Sequence, residues 1–157
     1  MRHARWVAGM LALLSACSSA PPKEQPQSAA APAPAKPTDE SRRFPLADQA
    51  SIRLVANHVL GKDFLPGGNV ADYRRKGKAY QLFLVHAKSA EDAALLLFEF
   101  KGHLRDAKYL AHMGGYFGTD GSTPVYLFQK GPFLAGLVGL AEKEADPLAR
   151  QFAARLN

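Results

Sequence analysis

The chain has almost no cysteine, because Cys17 is the only one among its 157 residues. A single cysteine cannot form an intramolecular disulfide, so a folded domain in this chain must be stabilised by its apolar core. Thiolate-rich zinc sites are excluded as well, since they need several cysteines at short spacing. Cysteine chemistry is therefore confined to position 17.

The residue patterns on which catalysis depends are also missing. The histidines after residue 50 form no His-x-x-x-His pair that could hold a metal; they are His58, His86, His103 and His112. Glu91 and Asp92 are adjacent, so on a helix they point to different sides and suit helix capping better than acid–base chemistry. The sequence therefore predicts no catalytic residue, no metal, no cofactor and a protein that is not an enzyme.

Positive charge is in only modest excess. The whole chain carries a net charge of +6. Two of those charges belong to Arg2 and Arg5 and one net charge to residues 17–45, which leaves +3 for residues 46–157. So small an excess does not indicate nucleic-acid binding.

The N-terminus has the three regions of an export signal. Arg2 and Arg5 make the start of the chain positively charged. A short apolar run follows from Trp6 to Leu14, and small residues precede Cys17. A run of about 9 residues is far below the ~20 that a transmembrane helix needs. We expect residues 1–16 to be a cleaved signal peptide rather than a membrane span.

Leu14-Ser15-Ala16-Cys17 resembles the lipobox of bacterial lipoprotein precursors. The resemblance implies lipidation of Cys17 and cleavage before it, so that acyl chains hold the mature protein on a membrane. Ser18 and Ser19 follow the cysteine where inner-membrane lipoproteins carry Asp. By the same resemblance, this favours the outer membrane, facing the periplasm, over the inner membrane.

Residues 17–45 are rich in proline and alanine and contain no aromatic residue before Phe44. Such a segment buries too little apolar surface to offset its ordering entropy, so the composition predicts a disordered linker after the lipidated cysteine. The remaining residues, 46–157, have the usual length of a single domain.

The pattern of residues 46–157 predicts the α+β class: one antiparallel sheet of about five strands with two helices packed on one face. Ala79 to Ala87 is apolar on both faces, as an inner strand is. Ser89 caps a helix predicted from about Ala90 to Arg105, and Asp146-Pro147 predicts the start of a second helix. Three glycines leave Tyr109 to Gly118 ambiguous.

Several segments of this domain resemble an uncharacterised family of exported bacterial domains of unknown function. They are Phe64 to Gly68, Tyr80 to Val85, Ser89 to Ala93, Pro124 to Gly131 and Ala145 to Ala149. The resemblance spans about residues 60–157 and implies a fold and an exported location. It implies no catalytic residue.

Two segments are candidate binding sites. Tyr116, Phe117 and Asp120 lie in a glycine-rich stretch that could hold a ligand, or the two rings could pack into the core. Arg74, Arg75, Lys76 and Lys78 form a basic cluster that could contact an anionic surface, or could be a solvated hairpin tip that discourages strand pairing.

The sequence taken as a whole predicts a membrane-tethered, non-catalytic binding or interaction module of the cell envelope. Its partner would be an envelope protein or a small ligand. The alternative is a small-ligand carrier or sensor with a pocket between the sheet and the helices. An aromatic-lined pocket would favour the ligand function, and an exposed apolar patch or an open sheet edge would favour a protein partner.

Overall fold

The computed structural model describes residues 36–157, which form an α+β domain with one open antiparallel sheet and two helices. The helices are α1 (Ala90–Gly102) and α2 (Glu142–Ala153). The strands are β1 (Gln49–Asn57), β2 (Pro66–Arg75), β3 (Lys78–His86), β4 (Arg105–Leu110), β5 (Gly115–Asp120), β6 (Thr123–Lys130) and β7 (Phe133–Val138). The predicted signal peptide, Cys17 and most of the predicted linker lie outside the described residues.

The seven strands follow the order β1-β2-β3-β7-β6-β5-β4. Strands β1 to β3 and strands β4 to β7 are therefore two runs of consecutive neighbours, joined where β3 pairs with β7. Helix α1 connects the runs and takes the chain from the inner strand β3 to the far edge of the sheet. The two edge strands are β1 and β4.

The predicted number of about five strands was too low, because the chain between residues 105 and 120 forms β4 and β5. The glycines there indicated turns, but two of them lie inside β5. A Cβ atom at Gly115 would lie only 2.0 Å from the carbonyl oxygen of Leu127 on β6. Gly115 thus allows close approach of two strands and does not break one.

The two helices pack on opposite faces of the sheet, which corrects the prediction that both lie on one face. Leu82 and Leu84 of β3 share an apolar cluster with Phe152 of α2, whereas Phe83 and Val85 share another with Phe100 of α1. Successive side chains of a strand point to opposite faces. A strand that is apolar on both faces therefore needs a cover on each, and we call the two sides the α1 face and the α2 face.

Helix α1 begins where the sequence predicted. The Ser89 side chain accepts a hydrogen bond from the backbone N–H of Asp92 at 3.1 Å, so Ser89 is the N-cap. Its inward residues Ala93, Leu97 and Phe100 are buried. The helix ends at Gly102, short of the predicted Arg105, because Arg105 begins the edge strand β4.

Helix α2 begins earlier than the sequence predicted. Its first residue is Glu142, and Pro147 lies inside the helix at an exposed position. The Ala141 carbonyl accepts the N–H groups of Glu144 and Ala145 and so closes the first turn. The carboxylate of Asp146, which together with Pro147 predicted the helix start, bonds instead to Tyr126 of β6 and to Arg150 of the same helix.

The packed part of the chain begins before residue 46. Residues 36–48, the N-terminal strap, lie across the α2 face, and the side chain of Phe44 is completely buried. Its ring centroid lies 5.0 Å from that of Phe152. The guanidinium of Arg43 lies 4.7 Å from the ring centroid of Phe133. The strap therefore covers part of the core, although composition assigned its residues up to 45 to a disordered linker.

Polar contacts fix the same strap. Within the described residues, Asn69 is the polar side chain that is buried. Its amide oxygen accepts a hydrogen bond from the backbone N–H of Glu40 at 2.8 Å, and its amide nitrogen donates one to the Asp39 carboxylate at 2.9 Å. The Glu40 carboxylate contacts Arg43 Nε at 2.6 Å and His86 Nδ1 at 2.9 Å. Because buried polar groups need partners, the strap completes the hydrogen bonding of the sheet end that it covers.

Candidate functional site

Helix α1 carries large apolar side chains on the side that faces solvent. Leu95 and Phe98 are 68% and 66% exposed. They lie roughly opposite the inward residues Ala93, Leu97 and Phe100, since each residue advances the helix by about 100°. A surface helix normally places polar residues there. An outward apolar pair is therefore the feature of this helix that the domain's own packing does not explain.

This apolar surface continues from α1 to the edge strand β4. The Lys101 ammonium lies 5.3 Å from the ring centroid of Phe98 and 5.9 Å from that of Tyr116. The rings of Tyr116 and Tyr109 lie 5.4 Å apart, and Tyr109 is 58% exposed. We call these five residues the α1–β4 surface: Leu95, Phe98, Lys101, Tyr109 and Tyr116.

The predicted aromatic pair in the glycine-rich stretch does not form one site. Tyr116 packs against the apolar cluster of the α1 face, whereas Phe117 packs against that of the α2 face. Adjacent residues of a strand point to opposite faces, and both belong to β5. Asp120 is the last residue of the same strand, where its carboxylate pairs with Lys62 at 2.5 Å. Tyr116, Phe117 and Asp120 therefore cannot line one pocket.

A cavity of about 440 Å³ lies on the α1 face, beside the C-terminal half of α1. Val70, Val125 and Val138 contribute apolar side chains to it, and polar residues contribute to its lining; these are Arg53, His58, Gln81, Asp120 and Thr123. Leu60 in its wall has a backbone φ of 57°, in the left-handed region that a leucine seldom adopts. The cavity is large enough for a small molecule.

The predicted basic cluster lies at the β2–β3 hairpin tip. Lys78 Nζ lies 2.6 Å from the Glu144 carboxylate, and Arg75 Nε lies 3.6 Å from that of Asp48. Across residues 36–157, no carboxylate forms an ion pair with Arg74 or Lys76. Arg75 and Lys78 thus hold the hairpin tip to neighbouring segments. This leaves Arg74 and Lys76 as a weak basic surface.

A polar cluster joins α2 to the sheet. The fully buried Tyr126 donates its hydroxyl to Asp146 at 2.7 Å, and Arg150 Nε and His112 Nε2 also contact that carboxylate. Burial and the Asp146 carboxylate raise the pKa of Tyr126, which keeps its hydroxyl a donor. Burial acts to raise the pKa of Asp146, but the bonds from Tyr126 and His112 and the charge of Arg150 outweigh it and hold the pKa below the usual 3.8.

The lowered pKa of Asp146 predicts a specific loss of stability in acid. A carboxyl whose folded pKa lies below its unfolded value stabilises the protein fully above the unfolded value, and this contribution is lost as pH falls through the folded value. The free energy of unfolding should therefore fall below about pH 4 more steeply in the unmodified protein than in Asp146→Asn, as measured by urea unfolding. Asp63→Asn, at a side chain 99% exposed, is the matched control. Parallel profiles for the unmodified protein and Asp146→Asn would contradict this role.

Residues 36–157 contain few other clusters of titratable or metal-binding side chains. No group of three or more His, Cys, Asp or Glu side chains lies close enough there to hold a metal ion. His86 lies at the end of β3 with its side chain 33% exposed and bound to Glu40. Neither helix of residues 36–157 has the length and hydropathy of a membrane-spanning segment.

Comparison with protein-family models, curated proteins and solved structures found no match for this chain. The resemblances to lipoprotein precursors and to exported domains of unknown function therefore stay predictions from the sequence.

Proposed function

We propose that this protein is a membrane-tethered, non-catalytic interaction module of the bacterial cell envelope, which binds a protein partner through the α1–β4 surface. The observation that carries the proposal is the exposure of Leu95 and Phe98 on the outward side of α1. Contiguous exposed apolar side chains rimmed by polar ones are typical of protein interaction sites.

The composition of the α1–β4 surface supports a protein partner. Its centre combines an aliphatic, a phenylalanine and two tyrosine side chains, and aromatic residues are enriched at interface centres. Glu91 and Glu99 are exposed on the same helix and supply a polar rim. Burying a leucine or phenylalanine side chain contributes about 1.5–3 kcal/mol, so two such residues suffice for a substantial part of a micromolar affinity.

The tether is proposed from Leu14-Ser15-Ala16-Cys17, and its test is Cys17→Ala. Without the thiol no lipid can be attached, so we expect the variant to remain unprocessed or to leave the lipid anchor. Fractionation of cells and the intact mass of the mature N-terminus measure both results. If Cys17→Ala protein were cleaved at the same site and still purified with membranes, the lipid anchor would have to be abandoned.

The interaction surface is tested by Phe98→Ser. Loss of a central interface aromatic should weaken partner binding at least about tenfold, equivalent to 1.4 kcal/mol. The measurement is quantitative capture of the partner on the membrane-anchored protein, with protein identification by mass spectrometry. Leu46→Ser is the matched control, because Leu46 is 80% exposed but lies in the strap, outside the surface. Equal capture by both variants would show that partners bind elsewhere.

The 440 Å³ cavity favours a second candidate function, the binding of a small ligand. Its apolar side chains and polar lining residues are the combination that ligand pockets use. Phe98→Ser would leave such a function intact. Val138→Trp, which would fill the cavity from β7, would abolish it, so the two variants separate the two functions.

A further inference from the structure

The two edge strands of the sheet differ in how they are protected. Strand β4 is six residues long and three of them are charged, namely Arg105, Asp106 and Lys108. Its pairing with β5 is interrupted between Arg105 and Lys108, and Asp106 there has a φ of 54°. Short length, charge and bulges are the features by which proteins prevent an edge from pairing with another chain.

Strand β1 lacks these features over most of its length. It has nine residues, and Arg53 is its one charged residue. Its irregularity lies at its start, between Gln49 and Ser51, and its pairing with β2 is regular from Ser51 to Asn57. The Arg53 charge is neutralised within its own chain, because its Nη1 lies 2.7 Å from a carboxylate oxygen of Asp72. A long, regular and nearly uncharged edge is suited to strand pairing.

The backbone groups that β1 offers to a partner follow from its pairing with β2. The N–H of His58 donates to the carbonyl of Leu65 at 3.0 Å. Hydrogen-bonded positions alternate along an antiparallel pair, so Ile52, Leu54 and Ala56 bond to β2. The N–H and C=O groups of the intervening residues then point away from the sheet; those residues are Ser51, Arg53, Val55 and Asn57. Pro66, which has no N–H, lies opposite Asn57, as this alternation requires.

We propose that a second copy of this chain pairs with β1, antiparallel and about a two-fold axis at Leu54. In this register Ser51 lies opposite Asn57 of the second copy, and Arg53 lies opposite Val55. All four outward residues of each strand are hydrogen-bonded, which forms about eight backbone bonds. An axis at Arg53 would place two arginines directly opposite each other, and like charges so placed are destabilising. An axis at Val55 would pair only Arg53, Val55 and Asn57 among the outward residues and would form about six bonds.

The side chains at the proposed axis are self-complementary. Leu54 is 46% exposed and would lie directly opposite its own copy at a non-hydrogen-bonded position, where side chains approach most closely. Ile52 would lie opposite Ala56 on the same face. Two copies would then form one continuous sheet of twice the seven strands. This pairing uses the edge opposite to β4 and leaves the α1–β4 surface of each copy free.

Disulfide formation by Leu54→Cys in the full-length protein tests the pairing. Residues opposite each other at a non-hydrogen-bonded position have Cα atoms about 4.5 Å apart, within the roughly 4.4–6.8 Å that a disulfide allows. Under mild oxidant we expect Leu54→Cys to form disulfide dimers at least ten times faster than two controls. Val55→Cys lies on the same strand but would be displaced from its own copy by two residues, and Tyr109→Cys lies on the other edge.

The unmodified chain, with Cys17 alone, gives the background of the assay. A disulfide dimer of that chain would report an unlipidated thiol, which contradicts the lipid anchor and not the pairing; pairing is then measured as the additional dimer in Leu54→Cys. Absence of additional dimer, or equal rates for Leu54→Cys and Val55→Cys, would overturn the proposed β1 pairing.

Discussion

Replacement of Phe152 by alanine is expected to lower the free energy of unfolding by roughly 3–5 kcal/mol. The Phe152 side chain is completely buried, and its ring centroid lies 5.0 Å from that of Phe44 and 6.2 Å from that of Phe128. Alanine would leave a cavity between α2, the strap and the sheet. This loss is a large share of the ~5–15 kcal/mol by which domains are stable, and urea unfolding would measure it.

Gln151→Ala is the matched control for Phe152→Ala. Gln151 is the preceding residue of α2, but it is exposed. Its replacement should change the free energy of unfolding by less than about 0.5 kcal/mol. Equal and small effects at positions 151 and 152 would mean that α2 does not cover the sheet in solution.

Phe44→Ala is expected to destabilise the domain by a similar amount, about 3–5 kcal/mol. Phe44 lies in the strap, in a segment that composition assigns to the linker, yet it is as deeply buried as any residue of the sheet. Its loss would leave Phe152 without its closest aromatic neighbour and would loosen the strap. Thermal or urea unfolding of the variant measures the effect.

Leu46→Ala is the control for Phe44→Ala, since Leu46 lies in the same strap and is 80% exposed. It should leave stability unchanged within about 0.5 kcal/mol. A protein that begins at residue 46 should be at least as destabilised as Phe44→Ala, because it lacks the same ring and also the bonds that Asp39 and Glu40 make to Asn69. Unchanged stability of Phe44→Ala would show that the strap is not docked and that the domain begins at residue 46.

The elements that were predicted correctly have strong local patterns. Leu82 to Val85 is apolar at every position, which predicted an inner strand, and Ser89 before an apolar period of 3.6 predicted the start of α1. The same apolar run also implied a cover on each face of the sheet. The sequence therefore contained the reason why the two helices lie on opposite faces, although the prediction placed them together.

The elements that were missed depend on contacts between distant residues. By its local pattern Gly115 is a turn residue. Its actual role depends on β6, because a Cβ atom at this position would lie 2.0 Å from the carbonyl oxygen of Leu127. By its local pattern Asp146 before Pro147 is a helix cap. Its carboxylate instead accepts a hydrogen bond from Tyr126, which is 20 residues away in the chain. Phe44 is an isolated aromatic after a proline-rich segment, and local composition cannot show that a core position 108 residues later receives it.

The α1–β4 surface had a sequence signal that was not used. Ala93 to Phe98 is apolar throughout, a stripe wider than the inward face of one helix. Leu95 and Phe98 therefore had to point outward once Ala93, Leu97 and Phe100 pointed inward. Tyr109 and Tyr116 could not have been added from the sequence, because strand pairing brings them together.

Photo-crosslinking from position 98 in living cells is the most direct test of the central claim, that a membrane-anchored domain binds a protein through the α1–β4 surface. A photoreactive amino acid is placed at position 98, and in a second strain at position 46, which is even more exposed. We predict one discrete crosslinked protein from position 98 in the membrane fraction and none from position 46. No adduct from position 98, or the same adducts from both positions, would contradict the account.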